Sequence, residues 1–476
     1  MTGELELDDE AITASAQGGD TIAAVATAIA PGQGSVAIVR ISGPRAEAIG
    51  ARLFRAPGSQ VWDTHRVLYG HVVDPATQER VDEALLLLMR APRSFTRETV
   101  VELHCHGGLV PVQRVLELVL AAGARRAQPG EFSQRAFLNG RLDLTQAEAV
   151  SEMITARSRR AAQLAMAGLD GGLQRRIGSL RERLLDQLAE LEARVDFEDD
   201  LPRLDAAAVV AALVAVQREL EALVLEARQG AALREGLRVA IVGRPNVGKS
   251  SLLNRLSHRE RAIVTDLPGT TRDLLESELV LDGVPLTLLD TAGIRPTADA
   301  VEQLGIARSH EALASADAVL LLFDLQAGWT EEDAALRNLV PEGVPLLLVG
   351  NKADLIAPDQ AGPPPAQSES VATSPDGVIS ALTGAGSDAL VQQLLRRCGA
   401  GDGQGLQVAL NARQRDLASE AATALTGSLE AAEQGLPWDF WTIDLRTAVR
   451  ALGAITGEEV NEAVLDRVFS RFCIGK

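Results

Sequence analysis

The chain has 476 residues, room for about three domains, and its 46% apolar and 23% charged residues are an ordinary globular balance that excludes wholesale disorder. A formal net charge of −19 excludes a general attraction to phosphate backbones, so any contact with RNA requires a local basic patch. Cys105, Cys398 and Cys473 are too few and scattered for a disulfide framework, residues 1–20 lack a signal peptide's basic and apolar regions, and no apolar run reaches the roughly 18 residues of a membrane span. The expectation is a cytoplasmic protein with free thiols and no membrane contact.

In chain order, residues 1–20 read as a disordered extension and residues 21–140 as an α+β domain. Ser35 to Ile41, Ala84 to Met89 and Val100 to His104 are short strands bounded by Gly and Pro, with a helix over Val110 to Ala122. Residues 141–236 are helical. There, Leu173, Ile177, Leu180, Leu184, Leu188, Leu191 and Val195 recur at spacings of three and four, as do Val209, Leu213, Val216, Leu220, Leu223 and Ala227. Asp196 to Pro202 reads as the turn between two helices. Residues 237–400 switch to βαβ units, with buried parallel strands at Arg238 to Gly243, Leu286 to Asp290, Ala318 to Asp324 and Leu346 to Gly350, and a surface loop from Ala357 to Ser370. After a Gly-rich joint the helical pattern returns over residues 401–476. The fold class is therefore multidomain, α/β and α, with an α/β domain inserted into a discontinuous helical domain.

Gly243-Arg-Pro-Asn-Val-Gly-Lys-Ser250 fits G-x-x-x-x-G-K-[ST] between a strand and a helix, the setting of a phosphate loop. Its glycines free backbone N–H groups for phosphates, with Asn246, Val247, Gly248 and Ser251 lining the loop; Lys249 supplies a point charge, and the Ser250 hydroxyl suits Mg2+. Lys occurs only at positions 249, 352 and 476, all within motifs. Asp290-Thr291-Ala292-Gly293 closes the next buried strand and offers a carboxylate beside the metal. Asp266 to Asp273 resembles a switch I loop, with Thr270 and Thr271 available to the γ-phosphate. By resemblance to regulatory GTPases of the Ras-like P-loop kind, Asn351-Lys352-Ala353-Asp354 and Ser380-Ala381 contact guanine, which selects GTP over ATP. Ile294 stands where those proteins carry the Gln that orients water, so catalysis here needs another polar group.

Two further segments carry a more specific resemblance. Pro129 to Val150, in the run Pro-Gly-Glu-Phe-Ser-Gln-Arg-Ala-Phe-Leu-Asn-Gly-Arg, and the terminal Phe469-Ser-Arg-Phe-Cys-Ile-Gly-Lys476 resemble the signatures of the MnmE (TrmE) family of tRNA-modification GTPases. The resemblance covers essentially everything after Thr21. It implies a homodimer through the N-terminal domain and a heterotetramer with an FAD-dependent partner, MnmG (GidA). Together they modify C5 of the wobble uridine of tRNA to carboxymethylaminomethyl- or aminomethyl-type uridine, using 5-formyltetrahydrofolate or a related tetrahydrofolate as one-carbon donor. It implies folate contacts at Arg40, Glu102, Arg141 and Lys476, with Arg141 standing where the family carries Lys. It implies Mg2+ at Ser250 and Thr271, K+ at Asn246, Thr265, Leu267 and Thr270, and catalytic roles for Glu302 and Cys473.

Alternatives stay open at several of these positions. Asn246 also reads as a turn residue, Glu302 as a solvated first-turn helix residue, and Cys473 as a small buried hydrophobe. Glu102, His104 and His106 alternate along one strand face, a metal-like spacing without a third strong ligand elsewhere; hydrogen-bonded structural histidines are the plainer reading. A GTP-gated assembly switch is the alternative function, disfavoured because no RNA-binding module follows the α/β domain.

Overall fold

The computed structural model describes residues 19–29, 34–197, 202–257, 276–290, 313–356, 374–400 and 409–475. It divides into two compact units, one running to Ser151 together with Thr456–Lys476, the other spanning Glu152–Ile455. The last stretch of the chain, Thr456–Lys476, thus groups with the N-terminal unit.

The first unit holds a seven-stranded sheet ordered β3-β4-β5-β6-β2-β1-β7. The strands are β1 (Ile22–Val25), β2 (Val36–Ser42), β3 (Phe54–Arg55), β4 (Arg66–Val73), β5 (Arg80–Met89), β6 (Val100–His106) and β7 (Arg125–Arg126). Period-2 alternation decides its faces. Ala37, Val39, Ile41, Leu86, Leu88, Val101, Leu103 and Cys105 point to one side and bury against α1 (Ala46–Leu53) and α2 (Leu109–Ala121) through Ile49, Leu53, Val112, Val115 and Val119. On the other side, Phe132 of α3 (Glu131–Leu138) packs with Ile22 and Ala24 of β1. Val67, Tyr69 and Leu85 on β4 and β5 remain 58%, 46% and 42% exposed. Phe137, Leu144, Leu465, Phe469 and Phe472 form a second small core, which joins the Pro129 to Val150 signature to α13 (Glu462–Phe469).

After α4 (Leu144–Thr155) and α5 (Arg159–Leu169), the helices α6 (Gly172–Phe197), α7 (Ala206–Glu235), α11 (Ala412–Glu433) and α12 (Trp438–Thr456) share one core in the second unit. Both leucine-rich stripes are buried in it; only the Val195 side chain lies outside the described residues. Each fully buried Leu contributes about 1.5–3 kcal/mol. Asp205 caps α7 by accepting from Ala208 N–H at 3.1 Å.

A six-stranded sheet ordered β13-β12-β11-β8-β10-β9 completes this unit. Its strands are β8 (Leu237–Gly243), β9 (Glu276–Leu281), β10 (Val284–Asp290), β11 (Ala318–Asp324), β12 (Leu346–Asn351) and β13 (Gly377–Val378). All pairings are parallel except β9 with β10. Both faces are covered, which is why the strands read as continuous apolar runs. Val239, Ile241, Leu320 and Leu322 bury with α8 (Lys249–Ser257) and α10 (Ser387–Arg397). Ala240, Val242, Val319 and Leu321 bury on the opposite face, where Leu336 of α9 (Glu331–Arg337) packs. Two residues of the last turns of α7, Ala232 and Leu233, belong to the first of these cores. No helix among the described residues is long and apolar enough to cross a membrane.

Candidate functional site

The parallel strands bring Gly243, Asp290, Asp324 and Asn351 to their carboxyl ends, the edge where open α/β sheets bind ligands. The loop after β8 is set by unusual backbone: Asn246 has φ 63° and Gly248 φ 101°. At Gly248 a side chain is excluded twice, by that φ and because a Cβ would run into Asn351 Nδ2. Lys249 Nζ donates to the carbonyls of Gly243 and Arg244 at 2.7 and 2.9 Å, so its ammonium lies across the mouth of the loop it belongs to. Ser250 and Ser251 are exposed at the start of α8, while Val247 is buried beneath it. A helix N-terminus with an ammonium and two hydroxyls suits a phosphate with a bound divalent cation.

Asn351 joins the motifs. At 2% exposure, it donates from Nδ2 to Val247 O at 2.7 Å and accepts from Ala381 N–H at 2.9 Å. Ser380 Oγ donates to Asp354 Oδ1 at 2.5 Å and leaves the rest of that exposed carboxylate available to a ligand. Lys352, at φ 68°, donates to Asp324 Oδ2 at 2.7 Å. Burial alone would raise the Asp324 carboxyl; Lys352 and the Gln326 N–H outweigh it and hold the group below the usual carboxylate range.

In the N-terminal unit, β2 and β6 pair Arg40 directly opposite Glu102. Arg40 Nε donates to Glu102 Oε1 at 2.8 Å, its Nη1 donates to the Gly475 carbonyl at 3.1 Å, and its guanidinium lies 5.6 Å from the centre of the Phe132 ring. Three distant stretches of sequence therefore converge on one arginine. Gly475, at φ 96°, lies so close to β1 that a Cβ would sit 2.6 Å from Val25 O, which lets the tail reach the sheet. His104 Nε2 meets Glu102 Oε2 at 3.2 Å. Burial pushes the Glu102 carboxyl up, but His104 and Arg40 overcome it and the net shift is downward. His106 instead pairs with Asp82 at 2.7 Å, so both histidines have hydrogen-bonding partners. Among the described residues no three His, Cys, Asp or Glu are grouped to hold a metal. Arg141 is exposed, its backbone N–H donating to Ala136 O at 2.8 Å.

Cys473 is exposed, which removes the buried-hydrophobe reading. That role falls to Cys105, 2% exposed, whose thiol burial pushes up to about 12.

Residues 144–473 match the family model described as the MnmE helical domain, and residues 21–141 match that of the GTP-binding protein TrmE N-terminus. Over 458 residues the chain is 70% identical to the tRNA modification GTPase MnmE of Synechococcus sp. (strain RCC307), covering 96% of this chain and 98% of that protein. It is 67% identical over 462 residues to that of Prochlorococcus marinus (strain MIT 9303), again covering 96% and 98%. The chain belongs to the MnmE family.

As a member of the MnmE family it is a tRNA modification GTPase, a hydrolase acting on GTP. Solved structures similar to it include an Era variant from Aquifex aeolicus bound to GDP and AlF4− (TM-score 0.27, 26% identity, 40% of this chain and 66% of that one). The G domain of the T. maritima FeoB iron transporter is another (0.25, 25%, 34% and 98%).

Several expected residues lie outside the described ones: Thr265, Leu267, Thr270, Thr271, Thr291, Ala292, Gly293, Ile294, Glu302, Lys476 and the Asp290 side chain. Two features escaped sequence reading. One is Asp324, an acid closing a buried apolar strand, which was itself the available signal. The other is a partly buried network in the N-terminal unit, with Arg135 and Glu131 at its buried centre. Arg135 pairs with Asp20 at 2.6 Å, Glu98 at 3.1 Å and Glu131 at 3.1 Å; Arg125 joins Glu131 and Asp20, and Ser42 joins Glu98. It fixes α3, and so the Phe132 ring beneath Arg40. It also includes Asp20, assigned from sequence to a disordered extension.

Proposed function

We propose that GTP hydrolysis at the loop from Gly243 to Ser250 serves the modification of C5 of the wobble uridine of certain tRNAs. The product is carboxymethylaminomethyl- or aminomethyl-type uridine, made with an FAD-dependent partner of the MnmG (GidA) kind. The one-carbon donor is 5-formyltetrahydrofolate or a related tetrahydrofolate, held in the N-terminal unit. The observation that carries this reading is the meeting of Arg40, Glu102 and the terminal motif at Gly475. A pterin ring offers N–H donors to a carboxylate, and a glutamate tail needs cations, for which Arg141 and Lys476 are the proposed partners.

At the nucleotide, Lys249 neutralises phosphate charge, Ser250 and Thr271 hold Mg2+, and Asn246 with Thr265, Leu267 and Thr270 holds K+, in place of an arginine finger. Val247, Gly248, Ser251 and the Asp290 to Gly293 segment complete the phosphate contacts. Asp354, with Asn351, Lys352, Ser380 and Ala381, reads guanine. Glu302 orients the attacking water. Cys473, exposed beside the folate-type residues in sequence, is the proposed thiol of the modification chemistry. The exposed Val67, Tyr69 and Leu85 on one sheet face support a homodimer through the N-terminal domain. A cytoplasmic location suits a tRNA substrate.

The test is tRNA from cells lacking the gene, analysed by nucleoside mass spectrometry, with rescue by the parent, Lys249→Ala and Arg40→Met chains. Modified wobble uridine should vanish without the gene and return only with the parent. Unchanged modification in the deletion strain leaves a GTP-gated assembly switch as the better reading.

A further inference from the structure

Arg244, the second residue of the phosphate loop, donates from Nε to Asp333 Oδ1 at 2.8 Å. Asp333 is fully buried in the first turn of α9, and the Arg244 side chain is 20% exposed. The two carboxylate oxygens of Asp333 do different things. Oδ2 accepts from the N–H and hydroxyl of Thr330, at 3.0 and 2.9 Å, and completes the capping box of α9. Among the described residues Oδ1 serves only the loop. A capping box also forms with a neutral amide at this position, and the helix dipole adds only a modest preference for the acid, so the helix by itself does not account for a buried charge here. Burying one is costly unless it is paired.

From Arg244 the connection continues to the nucleotide side, because the Arg244 carbonyl accepts from Lys249 Nζ at 2.9 Å. At the other end the segment leading into α9 is anchored by packing, Trp329 lying edge-on to Phe323 of β11 at 5.4 Å.

We propose that Asp333, acting through Arg244, is a positioning residue for nucleotide binding: it holds the phosphate loop in its ligand-accepting shape without touching the nucleotide. The inference rests on the reading of Gly243 to Ser250 as the phosphate site. A loop released from this tie spends part of its time in other shapes, and affinity falls by the fraction of time lost. GDP and GTP share the phosphates the loop contacts, so both weaken together. Turnover at saturating GTP, where the bound nucleotide itself orders the loop, changes little.

The experiment uses the full chain with Mg2+ and fluorescently labelled GDP and GTP as probes. Asp333→Asn keeps an oxygen for Thr330 and removes the charge facing Arg244. It should raise the Kd for both nucleotides about tenfold, the worth of a charge-assisted hydrogen bond, and leave kcat within about twofold. Thr330→Ala removes the cap and keeps the pair; it should lower the melting temperature by roughly 2–4 °C with Kd unchanged. Arg244→Gln should resemble Asp333→Asn, and the double variant should be no worse than the poorer single one. If Asp333→Asn does not fold, Arg244→Gln carries the same expectation from the loop side. The proposal is overturned if the pair variants bind like the parent, or if Thr330→Ala weakens binding as much as they do. Lys249→Ala separates the two readings: were it to bind nucleotide normally, the phosphate-loop assignment itself would fail.

Discussion

Replacing Arg40 by Met keeps most of the stem and removes three interactions at once: the 2.8 Å pair with Glu102, the 3.1 Å bond to Gly475 O and the guanidinium over Phe132. Glu102, its side chain 10% exposed, is left among the described residues with His104 alone. Removing one partner of a buried pair costs about 3–5 kcal/mol; with Arg40 17% exposed and His104 still in place, the cost falls somewhat below that range, to about 2–3 kcal/mol. For a unit of this size that is roughly 5–10 °C in melting temperature. The assay is hydrogen exchange read on peptides covering β2 and β6, which reports this unit by itself. Glu102→Leu in the same chain removes the stranded carboxylate and should recover most of the loss. A single Arg40→Met variant with unchanged protection in β2 and β6 would refute the view that the charge pair secures this end of the sheet.

Asn351→Ala leaves Val247 O and the Ala381 N–H without their partner and should cost about 2–4 kcal/mol in urea denaturation, with weaker GTP binding. Gly248→Ala should abolish measurable nucleotide binding, since both its φ of 101° and the Asn351 side chain exclude a Cβ. Asp20, Glu102 and Glu131 all have lowered carboxyl values, so the stability they add is fully present above their unfolded values of about 4 and is lost as pH falls through the lower folded ones; protection of the N-terminal unit should collapse below about pH 4. Exchanging potassium for sodium should lower GTP turnover sharply, and equal rates in the two salts would remove the cation role from Asn246.

What the sequence made legible was chemistry held within short spans. The phosphate loop, the Asn351 to Asp354 motif and the buried strand over Ala318 to Asp324 each carry their own signal within about eight residues, in spacing or in apolar runs. The stripes of α6 and α7 were readable because a helix with one buried face repeats it every three or four residues. The hairpin of β9 and β10 was passed over although Asp282 and Gly283, at φ 50° and 82°, form the Asp-Gly turn that favours it. β4 was missed for another reason: one of its faces is exposed, and its Val67 and Tyr69 blur the alternation that marks a strand.

Contacts that join distant segments were not legible, because neither partner looks unusual alone. The family resemblance grouped Arg40 and Glu102 with the end of the chain, but nothing in the residues themselves shows the contact; the register of β2 against β6 and the path of the tail to Gly475 supply it. Arg234 belongs to the same class. Only 11% exposed, it stands in the last turn of α7, just before β8, and donates to the carbonyls of Ala409 and Leu410, where the chain returns to the helices; it also pairs with Glu152 at 3.3 Å. The entry to the α/β domain and the exit from it are thus held by one guanidinium. Ala232 and Leu233 are built into the core of the nucleotide-binding sheet, so α7 is at once a bundle helix and a part of that domain. An inserted domain joined in this way does not hang from two loose linkers: a shift of its sheet has to be taken up by α7 and by whatever packs along it.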